Sequence, residues 1–258
     1  MSDDKSLARI IAYVAMGHAT HAANILSALT ETSPDIAHPA LVLAAIRKLT
    51  VNDAPGAPSE GVPTVHRDGF VFQVISWAAA QQEHGGSVLI RDPHSSATAQ
   101  GIDGLMLELS EDRSTIHLTT IFEDKCTEHQ RRTFMREVLP TFSAFHQNLR
   151  SPDLVATASG LLRWAGIPAT AVPLMAATVL DPQARRYRAA FAIEPDFDSQ
   201  QRRATLFANY DNLQGLTAIQ RVGATLVVST PLRAWFATLA ATACEYLRSL
   251  PEGSPRGV

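Results

Sequence analysis

Residues 101–125 read GIDGLMLELSEDRSTIHLTTIFEDK, and this stretch decides the architecture. Leu105, Leu107 and Leu109 fall on one parity, so residues 101–109 read as a strand. Ser110 to Ser114 supplies a turn. From 115 to 125, Ile116, Leu118, Thr120 and Phe122 alternate with His117, Thr119, Ile121, Glu123 and Lys125. Period two predicts a second strand with one buried and one more polar face. A turn centred on residue 112 or 113 sets Asp103 opposite residue 121 or 123. Cross-strand neighbours share a sheet face, and so do alternate residues along one strand. Either register therefore gathers Asp103, Glu123 and Lys125 on one side at one end of the hairpin. A slip by one residue would separate them, but it would also turn the apolar even positions outward.

Working outward, residues 69–84 predict a helix carrying Phe70, Ile75 and Trp77, stopped by Gly85 and Gly86. Val88–Leu89–Ile90 is a short strand, and 92–100 is a polar loop. After the hairpin, Thr127 and Gln130 match a capping box that opens a helix. Phe134, Val138, Phe142 and Phe145 share one face of it, and Pro140 should kink it. Later come a helix over 153–165, strands over 187–193 and 226–229, and a final helix from Pro231 through Leu247. The N-terminal part is helical over 7–31, interrupted at Gly17, with a turn bracketed by Pro34 and Pro39 and another helix over 40–49. A Pro- and Gly-rich linker fills 52–64. The expectation is an α/β fold: a mixed central β-sheet flanked by helices, with a helical N-terminal region (1–60), a sheet domain (61–250) and a tail (251–258).

Composition narrows the classes. A chain of 258 residues with 46% hydrophobic residues can bury a core without disulfides or a structural metal. A net charge of -3 excludes a polybasic tail binder. The two cysteines, Cys126 and Cys244, lie far apart, which fits a reducing, cytoplasmic compartment. The first residues lack a cationic signal region. The most apolar stretch, 160–180, contains Arg163, Pro168 and Pro173, so no membrane span is expected. No Walker A loop, GxGxxG or GxSxG occurs, which removes the main nucleotide-cofactor and serine-hydrolase classes. Only three of the 22 basic residues are lysine, and Lys125 is one of them.

Two carboxylates beside an ammonium have a chemical logic. Carboxylates are ligands for hard divalent cations such as Mg2+, which keep positions open for water and a substrate phosphate. Such an ion polarises a phosphoryl group and activates water. A lysine there holds the water or neutralises charge building on phosphorus-bound oxygens.

Gly101–Ile102–Asp103, followed by Glu123–Asp124–Lys125, resembles the PD-(D/E)XK nuclease superfamily, and more narrowly the nucleases of bacterial anti-phage defence. Ile102 stands where the family name has proline. The resemblance covers about residues 69–150 and implies a restriction-endonuclease-like core. It gives Asp103 and Glu123 to a Mg2+ ion, with Mn2+ as a substitute, and Lys125 to the hydrolytic water. Glu83, on the preceding helix, is the candidate for a further acidic residue. The implied activity is metal-dependent hydrolysis of nucleic acid, with DNA ahead of RNA and endonucleolytic action. Because a free nuclease endangers its host, restraint by a protein partner is expected as well, although no motif points to it.

Plainer readings stand beside these. The three residues could form an ion pair at a strand end. The chain could be a catalytically silent subunit that binds protein or nucleic acid, or a small-molecule hydrolase using the same carboxylates. Arg131, Arg132 and Arg136, the Arg185–Arg186–Arg188 cluster, and Arg202 with Arg203 could grip phosphates or form solvated faces. His18 with His21, and Cys126 with His129, each lack a second pair for zinc. His117 shares the face of Glu123 but lies inward of it, as a packing or supporting residue.

Overall fold

The computed structural model describes residues 4–28, 38–53, 61–84, 88–94, 101–229 and 231–251. Leu29 and the turn at Pro34, most of the 52–64 linker, Gly85–Gly86, most of the 92–100 loop and the 252–258 tail lie outside them.

The sheet has five strands in sequential order: β1 (Val88–Ile90), β2 (Gly104–Leu109), β3 (Ile116–Lys125), β4 (Arg185–Ile193) and β5 (Arg221–Val227). β1, β2 and β3 form an antiparallel meander, whereas β3, β4 and β5 run parallel. Parallel neighbours need crossovers. The β3–β4 crossover carries α5 (Gln130–Thr133), a π-helical turn (Phe134–Val138), α6 (Leu139–His146), α7 (Ser151–Trp164) and α8 (Val172–Ala177). The β4–β5 crossover carries α9 (Gln200–Leu206). The expected mixed sheet with flanking helices is present.

One sheet face carries Leu105, Leu107, Ile121, Tyr187, Phe191 and Ile193. It packs against Phe134, Val138, Phe142, Phe145, Leu154 and Leu162 from the β3–β4 crossover. Each such side chain contributes about 1.5–3 kcal/mol by leaving water. The odd positions of β3 therefore face the main core, where the alternation had predicted the more polar side. The even side is buried as well, with Thr120 1% and Phe122 3% exposed. A strand covered on both faces carries a weaker alternation signal. Ile116 joins the odd-side core because the pairing steps from Glu108↔Leu118 to Leu109↔Ile116. That bulge leaves His117 without a partner position, and it is exposed.

Other local expectations change. The Thr127–Gln130 capping box does not form. Thr127 Oγ1 accepts from the His129 amide, the helix starts at Gln130, and the Gln130 amide group donates to the Ala192 carbonyl. Where a kink at Pro140 was expected, the helix carries a π-turn just before the proline, with the Leu139 amide reaching back to the Phe134 carbonyl. The last strand spans Arg221–Val227 rather than 226–229.

The remaining helices are α1 (Asp4–Ala15), α2 (Ala19–Ala28), α3 (Pro39–Leu49), α4 (Thr64–His84) and α10 (Leu232–Ser249). Gly17, at φ +86°, breaks α1 from α2, as the sequence suggested. The chain divides into two compact units. One comprises Met1–Gln82, Asp92–Ala99 and Thr230–Val258; the other comprises Glu83–Arg91 and Gln100–Ser229. The helical unit thus takes in most of α4 and all of α10, so the sheet unit is narrower than the 61–250 domain. Within the helical unit, Tyr13 and Tyr246 share a 2.7 Å hydrogen bond, and buried Asp68 accepts from Arg67 and Arg233 at 2.7 Å each. No described helix is long and apolar enough to cross a membrane.

Candidate active site

The β2–β3 register settles which residues meet. Gly104 pairs with Phe122, which places Asp103 one step outside the ladder, level with Glu123. Asp103 Oδ2 accepts from the Asp124 amide at 3.1 Å and from Lys125 Nζ at 2.9 Å. Lys125 Nζ also lies 2.9 Å from Glu123 Oε2. One ammonium thus holds two carboxylates at the carboxyl end of β3. The three predicted residues are brought together on one side, as the hairpin arithmetic required.

Access is graded. The Glu123 side chain is 5% exposed, against 23% for Asp103 and 26% for Lys125. Glu123 forms the floor, and the other two open to solvent. Burial pushes the Glu123 carboxyl up to about 8, reinforced by the Asp103 charge and opposed by Lys125. Burial alone would lower the Lys125 ammonium, but Glu123 and Asp103 together outweigh it and raise it.

Sequence reasoning missed Arg91. Its side chain donates to the Ile102 carbonyl at 2.6 Å, and its amide donates to the Leu105 carbonyl. Burial lowers its pKa, while the charge of Asp103 opposes that shift. Arg91 therefore anchors the backbone next to Asp103. Only the β1–β2 register reveals this, because the polar 92–100 loop separates Arg91 from Asp103 in sequence.

The other candidates fall elsewhere. Glu83 is at the end of α4 with its side chain 77% exposed, facing His84 at 3.9 Å. Arg185 is wholly buried and donates to the Val179 and Phe145 carbonyls and to Asn148 Oδ1. Arg186 pairs with Glu108 and Arg188 with Asp124, each at 3.3 Å, on the opposite sheet face. This cluster serves the fold. His21 packs edge-on against Tyr13. Among the described residues, no group of three His, Cys, Asp or Glu side chains gathers as a metal cage. Neither Cys126 nor Cys244 forms a disulfide.

No family model matches this chain, and neither a curated protein nor a solved structure matches it.

The donor set can be judged by its own chemistry. Asp103, Glu123 and Lys125 carry one net negative charge when all are ionised, and the deepest carboxylate resists ionisation. A divalent cation would relieve that excess. Two carboxylates suffice for Mg2+, which keeps several waters. The residues present fit such an ion.

Proposed function

We propose that this chain is a metal-dependent nuclease of the PD-(D/E)XK type, hydrolysing phosphodiester bonds in nucleic acid, foremost as a DNA endonuclease. One observation carries the reading: Lys125 Nζ sits 2.9 Å from both the Asp103 and the Glu123 carboxylate at the end of β3. The setting supports it. A helix precedes a three-stranded antiparallel meander, and a helical crossover then leads to a fourth strand parallel to the third. That order agrees with the core implied by the sequence resemblance.

In this reading Asp103 and Glu123 hold Mg2+ or Mn2+, and the ion supplies Lewis-acid activation of the phosphate and its attacking water. Asp103, more open than Glu123, faces the incoming phosphate. Glu123 fixes the floor of the site from a buried, rigid position. Lys125 orients the attacking water through one of its N–H bonds and offsets negative charge growing on the phosphoryl oxygens. Arg91 holds the Ile102 carbonyl and so keeps the Asp103 backbone in place. The lack of a disulfide between the two cysteines fits the cytoplasm as the place of action. Anti-phage defence under the restraint of a protein partner is the proposed setting.

A second reading, a catalytically silent binding subunit, is favoured by the closure of the same contacts, since each carboxylate already has the ammonium as counter-ion. The two separate by experiment. Purified protein is incubated with plasmid DNA, single-stranded DNA and RNA in Mg2+, Mn2+ or chelator, beside Asp103→Ala. The nuclease reading expects cutting that chelator stops and the substitution abolishes. Cutting unaffected by the substitution would overturn the assignment. Nucleic-acid binding without cutting in either metal would favour the silent subunit.

A further inference from the structure

Beyond the triad, the sheet unit holds a pocket of about 230 Å³ at the carboxyl end of β4. Ile193, Phe197 and Leu206 give it apolar walls, and Arg131, Arg202 and Arg203 give it charge. Its place is fixed by the register. Lys125 pairs with Phe191, and Ile193 lies two residues further along the same strand on the same face. Two strand steps and one strand spacing put Ile193 about 8 Å from Lys125, backbone to backbone.

The arginines are held in distinct ways. Arg131 is pinned by the Leu206 and Ala208 carbonyls at 3.1 and 2.5 Å and by Asn209 Oδ1 at 2.6 Å. These acceptors are neutral, so its positive charge stays uncancelled. Arg203 pairs with Asp198 at 2.5 Å. The Arg202 guanidinium lies 4.9 Å over the Phe197 ring and has no carboxylate partner among the described residues. Phe197 itself is 47% exposed. An exposed ring capped by a planar cation, beside apolar walls and net positive charge, matches a flat aromatic ligand that carries an anion.

We infer that this pocket receives an unpaired base of a single-stranded stretch of nucleic acid, with Phe197 and Arg202 stacking on the base and Arg131 holding its phosphate. The inference rests on the nuclease reading for the course of the strand between Lys125 and the pocket. It adds what that reading leaves open, a preference for unstacked nucleotides. A base inside a duplex presents no free face to such a platform.

The test measures binding in chelator, where nothing is cut. Fluorescence anisotropy compares a deoxyuridine decamer, decauridylate and an abasic deoxyribose-phosphate chain of the same length. Wild type should bind a base-bearing strand about tenfold more tightly than the abasic one, in keeping with one stacked base. The tighter of the two base-bearing strands identifies the sugar. Phe197→Ala should erase the base-dependent ratio. Arg202→Lys keeps the charge but loses the planar cation, and it should lower the ratio while leaving abasic binding unchanged. Equal binding of base-bearing and abasic strands by wild type would overturn the pocket assignment, as would a ratio that survives both substitutions. Metal-dependent cutting with no base-dependent binding would sink the pocket alone. Base-dependent binding without cutting in any metal would sink the nuclease reading alone.

Discussion

At Lys125 one ammonium answers two carboxylates, and the site depends on that convergence. If Lys125 orients water and offsets developing charge, Lys125→Ala should lower the cleavage rate about 10³-fold. Asp103→Ala should do at least as much, with far-ultraviolet circular dichroism unchanged in both. A drop confined to Asp103→Ala would reassign Lys125 to a structural ion pair. The neighbouring glycine is under a tighter constraint. A Cβ on Gly104 would meet Phe122 Cδ2 at 2.8 Å, and Phe122 is buried and cannot swing aside. Gly104→Ala should therefore cost about 1–3 kcal/mol, read from the denaturant midpoint. A midpoint equal to wild type would mean the β2–β3 contact is looser than its geometry implies.

The elements show what a single sequence discloses. The hairpin was legible because Leu105, Leu107 and Leu109 and the β3 alternation fix both strands, and the Ser–Glu–Asp–Arg–Ser turn fixes their register. That was enough to bring Asp103, Glu123 and Lys125 together. The helix-side core was harder to read, since β3 is buried on both faces and the bulge at His117 shifts Ile116 to the other side. The β4–β5 crossover was illegible for another reason. α9 is short, and β5 contains Gly223 and Ala224, which carry little strand signal. Gly223 is there for space, because a Cβ would lie 2.6 Å from the Phe207 ring. The hairpin turn also carries a pH prediction. Asp112 accepts from the Ser110 hydroxyl at 2.6 Å and from the Ser114 hydroxyl and amide, and these bonds hold its carboxyl down at about 2. The folded value lies below the unfolded one, so the stabilisation is present above about pH 4 and disappears as pH falls through 2. Asp112→Asn should melt below wild type at pH 6, and the gap should close towards pH 2. A gap independent of pH would show that the turn gains nothing from the ionised carboxylate.

Across the whole molecule, the sheet changes from antiparallel to parallel at β3, and the carboxyl ends of β3 and β4 point the same way. That change places the triad and the arginine-lined pocket along one edge of the sheet unit. It also backs the Glu123 floor, because β3 pairs with β4 through Glu123 to Lys125 and with β2 as far as Phe122. Two carboxyl groups crowded together, the deeper of which resists ionisation until a cation compensates it, predict stabilisation by divalent cation. Saturating Mn2+ or Mg2+ should raise the melting temperature of wild type, by about 2.7 kcal/mol of stability at a hundredfold excess over Kd. Asp103→Asn should lose that response. A shift of equal size in wild type and Asp103→Asn would place the bound metal elsewhere.

The most direct measurement is single-turnover cleavage of one nucleic-acid substrate by wild type, Asp103→Ala and Lys125→Ala, in Mn2+ and in chelator. Metal-dependent cutting by wild type and a loss of about 10³-fold in each variant are expected. Equal rates in all three proteins, or cutting by wild type that persists in chelator, would contradict the nuclease reading.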